Sequence, residues 1–325
     1  MPAAVDSPPA RLAYTVYNGW QIDDKAEVGD VASVTPGRRP DVRERLASGF
    51  ILADGALGTM LVAGGNGWTV PEELNLRARE RVARVHAAYA AAGSEFVSTN
   101  SFGGSPAKLA LAGLEASAYE INRAAAELAR EAVGEGVWVA GSMGPTGRFV
   151  EPLGDLSAVE AEDGFALQAE ALAAGGADLI VVETMAAVEE ARAAIRGARR
   201  TGLPIVCTMV FEPSYRTMMG VGLEGLLELL GDGATAVGVN CGQGPDTMAT
   251  IVARLREMAP TAVLAAQPNA GVPRLVGGQA VYDVSPEKMA EFALEMRRLG
   301  VGIIGACCGS TPEHIRAMAR ALGKV

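Results

Sequence analysis

Short apolar runs alternate with long stretches rich in alanine, glutamate and arginine along nearly the whole chain. Such runs, bounded by glycine or polar residues, predict strands buried on both faces, and the intervening segments carry helical period. Strands are expected at 50–53, 95–99, 137–141, 178–183, 204–209, 234–240, 262–267 and 301–306. Helices are expected between them, for instance at 71–92, 105–133, 158–174 and 187–200. Ser310-Thr311-Pro312-Glu313 opens a final helix, with a capping residue followed by proline at the first helical position. Alternating strand–helix pairs of this number predict an α/β fold, a single (β/α)8 TIM barrel, with a doubly wound parallel sheet as the alternative.

The opening residues break this rhythm. Residues 1–40 hold five prolines and the aromatics Tyr14, Tyr17 and Trp20. We read 1–40 as an N-terminal arm and 41–325 as the barrel domain. The arm either packs on the outside of the barrel or covers its mouth or reaches a neighbouring subunit.

Charge narrows the partners. The 325 residues carry a net charge of −10, with lysine and arginine dispersed, which argues against nucleic acid and against an anionic membrane. No apolar stretch reaches the length of a membrane span, and the first residues lack the layout of a signal peptide. Four cysteines, two of them adjacent, do not make a disulfide framework. A reducing cytoplasm is the expected location.

In a barrel of this kind, catalytic groups gather where strands run into the loops that follow them. Those positions here hold Asp54-Gly-Ala-Leu-Gly-Thr, Thr99-Asn-Ser-Phe-Gly, Gly144-Pro-Thr-Gly, Glu183-Thr, Asn240-Cys-Gly and Gly305-Ala-Cys-Cys-Gly. They share one rim and are expected to form one site. Cys241, Cys307 and Cys308 each end an apolar strand, and thiolates are preferred ligands of zinc. Three of them leave a fourth tetrahedral position open for substrate. Cys207 lies inside a strand and reads as a small core hydrophobe. Of the two histidines, His86 reads as structural, and His314, just after the cysteine pair, as a candidate neighbour of the metal ligands. Glu183 closes the apolar run Leu179-Ile-Val-Val, where a carboxylate is costly to bury without a partner. Recognition of a substrate ammonium group accounts for it, with pairing to a basic side chain as the structural alternative. Asp54 and Asn100 are candidates to orient the same amino-acid moiety.

In this order, the strand-end motifs, together with Ser310-Thr-Pro-Glu-His, resemble the homocysteine S-methyltransferase family over residues 41–323. The bacterial betaine–homocysteine type is the most similar, because Ala140-Gly-Ser-Met-Gly-Pro-Thr-Gly and Thr217-Met-Met-Gly also fit its pattern. The resemblance implies a zinc ion held by Cys241, Cys307 and Cys308, with Glu183 binding the amino group of homocysteine and Asp54 beside it. It further implies transfer of a methyl group to the homocysteine thiol, giving methionine.

The resemblance leaves the donor open. The chain ends soon after its last helix, so no fused folate or cobalamin module is expected. A small onium compound is therefore favoured, betaine first, with S-methylmethionine or a methylated corrinoid protein as alternatives. Trp68 resembles the tryptophan of the family's cation cage, and a ring face attracts a quaternary ammonium. Gly103 and Thr184 stand at the approximate places of two cage tyrosines, so Phe102, Phe149, Phe211, Tyr215 or an arm aromatic is needed to complete it. Two rival functions remain: the same chemistry on a different acceptor, and a zinc-stabilised binding module without catalysis. A homo-oligomer is a guess from the fold alone.

Overall fold

The computed structural model describes residues 40–62, 70–276 and 279–325, together with a three-residue strand near the start. Its strands are β1 (Ala13–Thr15), β2 (Ile51–Leu52), β3 (Phe96–Ser98), β4 (Trp138–Met143), β5 (Leu179–Met185) and β6 (Ile205–Met209). They continue with β7 (Ala236–Asn240), β8 (Leu264–Gln267), β9 (Arg274–Val276), β10 (Gln279–Val281) and β11 (Ile303–Ile304). The helices are α1 (Val42–Ser48), α2 (Leu57–Val62), α3 (Leu74–Arg77), α4 (Arg79–Ala91), α5 (Pro106–Leu109) and α6 (Ala118–Val133). They end with α7 (Ala158–Ala174), α8 (Val188–Arg199), α9 (Leu223–Glu228), α10 (Pro245–Met258), α11 (Pro286–Arg298) and α12 (Pro312–Ala321).

Eight strands form one parallel sheet in the order β2-β11-β8-β7-β6-β5-β4-β3. Across the remaining seam, the Glu95 amide donates to the Leu52 carbonyl at 2.7 Å, and the Leu52 amide donates to Glu95 Oε2 at 2.8 Å. The sheet therefore curls into a nearly closed (β/α)8 barrel, and the doubly wound alternative is excluded. All eight expected strands are present. The alternation of side chains along each strand separates two apolar layers. Phe96, Trp138, Ala140, Leu179, Val181, Val206, Ala236 and Ile303 fill the interior, and Val42 and Leu46 of α1 plug its lower end. Leu52, Val97, Val139, Ile180, Val182, Cys207 and Ile304 face the helices.

Two long expected helices are interrupted. Residues 105–133 break at Gly113, which takes φ +70 and so stops the helix before α6. Residues 71–92 break at Ala78, whose φ of −145 leaves the helical region; no residue type there accounts for it. A second sheet, β1-β10-β9, was not expected. β10 returns antiparallel to β9, and β1 adds to it in parallel, which brings part of the N-terminal segment to the loop that follows β8. Tyr17, Trp20 and Trp68 lie outside the described residues. Among the described residues, no helix is long and apolar enough to cross a membrane.

His86 occupies the buried face of α4 with no hydrogen-bond partner on either ring nitrogen among the described residues. Burial therefore disfavours its charged form and lowers its pKa to about 4. The unfolded chain, with an ordinary value of about 6.5, takes up the proton first as pH falls. His86 thus leaves stability intact above pH 6.5 and removes it progressively between about 6.5 and 4, by about 2 kcal/mol at pH 5. His86→Leu is expected to lose less thermal stability than the parent between pH 7 and pH 5. Parallel melting-temperature profiles in the two proteins would contradict this.

Candidate active site

Five of the six strand-end motifs meet at one cavity of about 200 Å³, together with Ser142 of β4, Gln267 of β8 and the segment Pro71-Glu72, whereas Gly144-Pro-Thr-Gly does not line it. Its described lining holds the carboxylates Asp54, Glu72 and Glu183 and the thiols Cys241, Cys307 and Cys308, and no lysine, arginine or histidine.

The three cysteines come from β7 and β11, which are not neighbours, because β8 runs between them. The loop after β8 ties them together. Cys241 donates its amide to Gln267 O at 3.0 Å, and Cys307 donates to Pro268 O at 2.7 Å. The Asn269 amide donates to Gln243 O at 3.0 Å, and the Ala270 amide to Cys308 O at 2.9 Å. Cys241 takes φ +58, unusual for a residue other than glycine, and this turn aims its sulfur at the pair. Cys241 Sγ lies 3.8 Å from Cys308 Sγ, and all three sulfurs fall within 4.8 Å of one another. Cys207 faces the helices, fully buried, outside this group.

This donor set fits a metal. Thiolates around a tetrahedral zinc at about 2.3 Å stand about 3.8 Å apart. Hydrogen bonds from Cys307 and Cys308 hold the Cys241 thiol far below its ordinary range, and the same pairing pushes the other two up. A cation among the three sulfurs would favour ionisation of all of them. Asn269, whose side chain hydrogen-bonds Cys241, leaves its own buried Oδ1 without a partner among the described residues.

The carboxylates also await a positive charge. Burial raises Asp54 to about 7, although its oxygens accept from the Ser98 amide at 2.7 Å and the Ser98 hydroxyl at 2.9 Å. Burial raises Glu183 to about 7 as well; the Ser142 hydroxyl donates to its Oε1 at 2.5 Å, and the Cys241 thiolate adds repulsion. Glu72 accepts the Gly103 amide at 2.6 Å, and burial shifts it upward too.

The floor is fixed by Ser310 and Tyr89. Ser310 Oγ donates to Cys307 O at 2.8 Å and accepts the Ala56 amide at 3.1 Å. The Tyr89 hydroxyl reaches Ala56 O from α4. Asn100 lines the cavity, and its Nδ2 donates to Pro71 O at 2.7 Å and Asn75 Oδ1 at 2.9 Å, linking the loop after β3 to α3 and the residues just before it. His314 lies away from the sulfurs. It caps its own helix through the Thr311 amide and bonds Val284 O through Nε2. Phe102 is the one aromatic side chain among the described lining residues. Phe211 is fully buried, and Phe149 and Tyr215 are exposed without lining the cavity.

Sequence reasoning missed Glu72, Ser142 and the Pro268–Ala270 link. A glutamate, a serine and backbone amides are too common to stand out, although Ser142 sits in a motif that was noticed.

The comparisons with known proteins agree with this geometry. The chain is 29% identical over 309 residues to methionine synthase of Mycobacterium leprae, covering 87% of this chain and 25% of that protein. It is 29% identical over 310 residues to methionine synthase of Mycobacterium tuberculosis, covering 88% and 26%. It thus spans about a quarter of the length of these curated relatives. In fold it is similar to the oxidized form of the homocysteine methyltransferase MmuM from Escherichia coli. The TM-score is 0.72 at 24% identity, over 86% of this chain and 99% of that one. The metallated form of MmuM matches with a TM-score of 0.67 at 25% identity, over 83% and 96%. The sequence model of the homocysteine S-methyltransferase family matches residues 51–322. On that match, the chain belongs to the homocysteine S-methyltransferase family.

Proposed function

We propose that the protein transfers a methyl group to the thiol of homocysteine, giving methionine. One observation carries this reading: three clustered cysteine sulfurs share a cavity with Glu183 and Asp54, and no basic side chain lines it among the described residues. The cavity offers a soft site for sulfur and, beside it, an acidic site for an amino group. Homocysteine carries both groups on one short chain.

Cys241, Cys307 and Cys308 would hold zinc, in keeping with the family and with the metallated MmuM structure. Bound there, zinc would supply acceptor activation, lowering a thiol pKa of about 8.5 so that the sulfur is a thiolate at neutral pH. Glu183 receives the substrate ammonium, which keeps this carboxylate charged against the burial that raises it. Asp54 adds a second negative charge, held rigid by Ser98. Asn100 braces the wall beside them. Methyl transfer to a thiolate needs no further base. The chain's task is to hold sulfur, methyl carbon and leaving group in line and to exclude water.

For the donor, betaine or another small onium compound is the reading we favour, and it requires a cation cage. Phe102, which lines the cavity, would contribute one ring, and Trp68, outside the described residues, is the candidate for another. A second reading is a methylated corrinoid protein. The similarity to part of two methionine synthases favours it, since the remaining three quarters of such a protein have room to carry the donor.

Two predictions follow from these roles. Cys241→Ala, Cys307→Ala and Cys308→Ala should each lose bound zinc, measured by elemental analysis, together with turnover. Cys207→Ala should keep both and cost only packing, about 1 kcal/mol of stability. A Cys241→Ala protein with full zinc and full turnover would remove that residue from the metal site.

Glu183→Gln keeps the shape but removes the charge facing the ammonium. Because a hydrogen bond to a charged group is worth roughly 1.5–3 kcal/mol, kcat/KM for homocysteine should fall by about one to two orders of magnitude with zinc intact. The same assay, supplied separately with betaine, S-methylmethionine and a methylated corrinoid protein, decides the donor. Methionine formed only with the corrinoid protein would exclude the onium reading. Methionine formed with none of them would count against the proposed function.

A further inference from the structure

Asn240, at the end of β7, is 1% exposed, and every polar atom of its side chain is engaged. Its Oδ1 accepts the Thr184 amide at 2.9 Å and the Thr208 hydroxyl at 2.8 Å. Its Nδ2 donates to Thr184 Oγ1 at 2.7 Å and faces Glu183 Oε2 at 3.4 Å and Cys307 Sγ at 4.0 Å. The orientation of this amide is not arbitrary. A backbone N–H can only donate, so the Thr184 amide requires the oxygen on its side and turns the NH2 group toward the carboxylate and the sulfur.

What Asn240 grips is a distortion. The pairing of β5 with β6 shifts register between Val182 and Met185, so Glu183 and Thr184 form a bulge at the strand end. Thr184 takes φ +64, a conformation that is costly for a β-branched residue. Asn240 bonds both the amide and the hydroxyl of that residue, so it holds the bulge of β5 from the end of β7, across β6. The next residue along β7 is Cys241, itself left-handed at φ +58. One side chain therefore fixes both the bulge that carries Glu183 and the strand end that launches the Cys241 sulfur.

We propose that Asn240 is a positioning residue that couples the two halves of the site, the carboxylate facing the acceptor's amino group and the cysteines facing its sulfur. Homocysteine spans the two halves with a fixed chain, so its binding depends on their separation. Asn240 sets that separation without touching the substrate. The acceptor half of this inference rests on the proposed function; the cysteine half does not.

The test is a double-mutant cycle read by binding rather than by turnover. In the zinc-loaded protein, Asn240→Ala should weaken homocysteine binding, measured by calorimetry, by roughly tenfold to a hundredfold, the usual effect of removing a residue that orients the groups that bind. Because Asn240 acts through Glu183, the same change in a Glu183→Gln background should cost only about threefold. Zinc affinity, measured by chelator competition without homocysteine, should fall roughly tenfold or more in Asn240→Ala. Asn240→Ser, a smaller change, carries both measurements if the alanine variant does not fold. Additive costs in the cycle or an unchanged zinc affinity would each overturn the proposal. Failure of the parent protein to bind homocysteine would count against the proposed function, and the zinc measurement would then judge Asn240 by itself.

Discussion

Three sulfur atoms within 4.8 Å of one another share a cavity with three carboxylates, and no basic side chain lines it among the described residues. Burial without a counter-charge resists ionisation of the carboxylates, hydrogen bonds among the thiols set which of them gives up its proton first, and neighbouring like charges add to the cost. Asp54 and Glu183 are pushed up to about 7, and Cys307 and Cys308 rise while Cys241 falls. Such a cavity gains by taking up positive charge, a metal at the sulfurs and an ammonium at the carboxylates. The surrounding structure holds these groups together against their repulsion.

The barrel divides that labour. Its lower end is closed by α1 and by ionic contacts of Glu95 with Arg45 and Lys324, and nothing chemical is asked of it. Its upper end is built from hydrogen bonds between strand ends that are distant in sequence. The loop after β8 joins the two cysteine turns, Ser310 joins the cysteine pair to the loop after β2, and Asn240 joins β7 to the bulge of β5. Stability and chemistry are thereby separated along the barrel axis, so the upper rim carries strained backbone at Thr184 and Cys241 on a rigid base.

The barrel was legible because its strands are buried on both faces and read as unbroken apolar runs. The β9–β10 hairpin was not, since Arg274, Leu275 and Val276 are all exposed and no hydrophobic pattern specifies them. The helix break at Gly113 had a visible cause, and the one at Ala78 had none. In the site, Cys241, Cys307, Cys308 and Glu183 stood out as rare or costly residue types at strand ends, and the structure gathers them at one cavity. Asn240 and Ser142 were read only as members of their motifs, and the Pro268–Ala270 backbone not at all, because their part depends on partners that only the folded chain brings near. Asn100 was singled out for substrate, and the structure places its amide nitrogen on Pro71 and Asn75 at the cavity wall.

Under the proposed function, Cys241, Cys307 and Cys308 hold a metal whose open position receives the acceptor's sulfur. Zinc-edge X-ray absorption on the zinc-loaded protein, with and without homocysteine, tests it most directly. Three sulfur neighbours are expected in the protein alone, from Cys241, Cys307 and Cys308, and one more once homocysteine is added. A sulfur count that does not change on adding saturating homocysteine would contradict it.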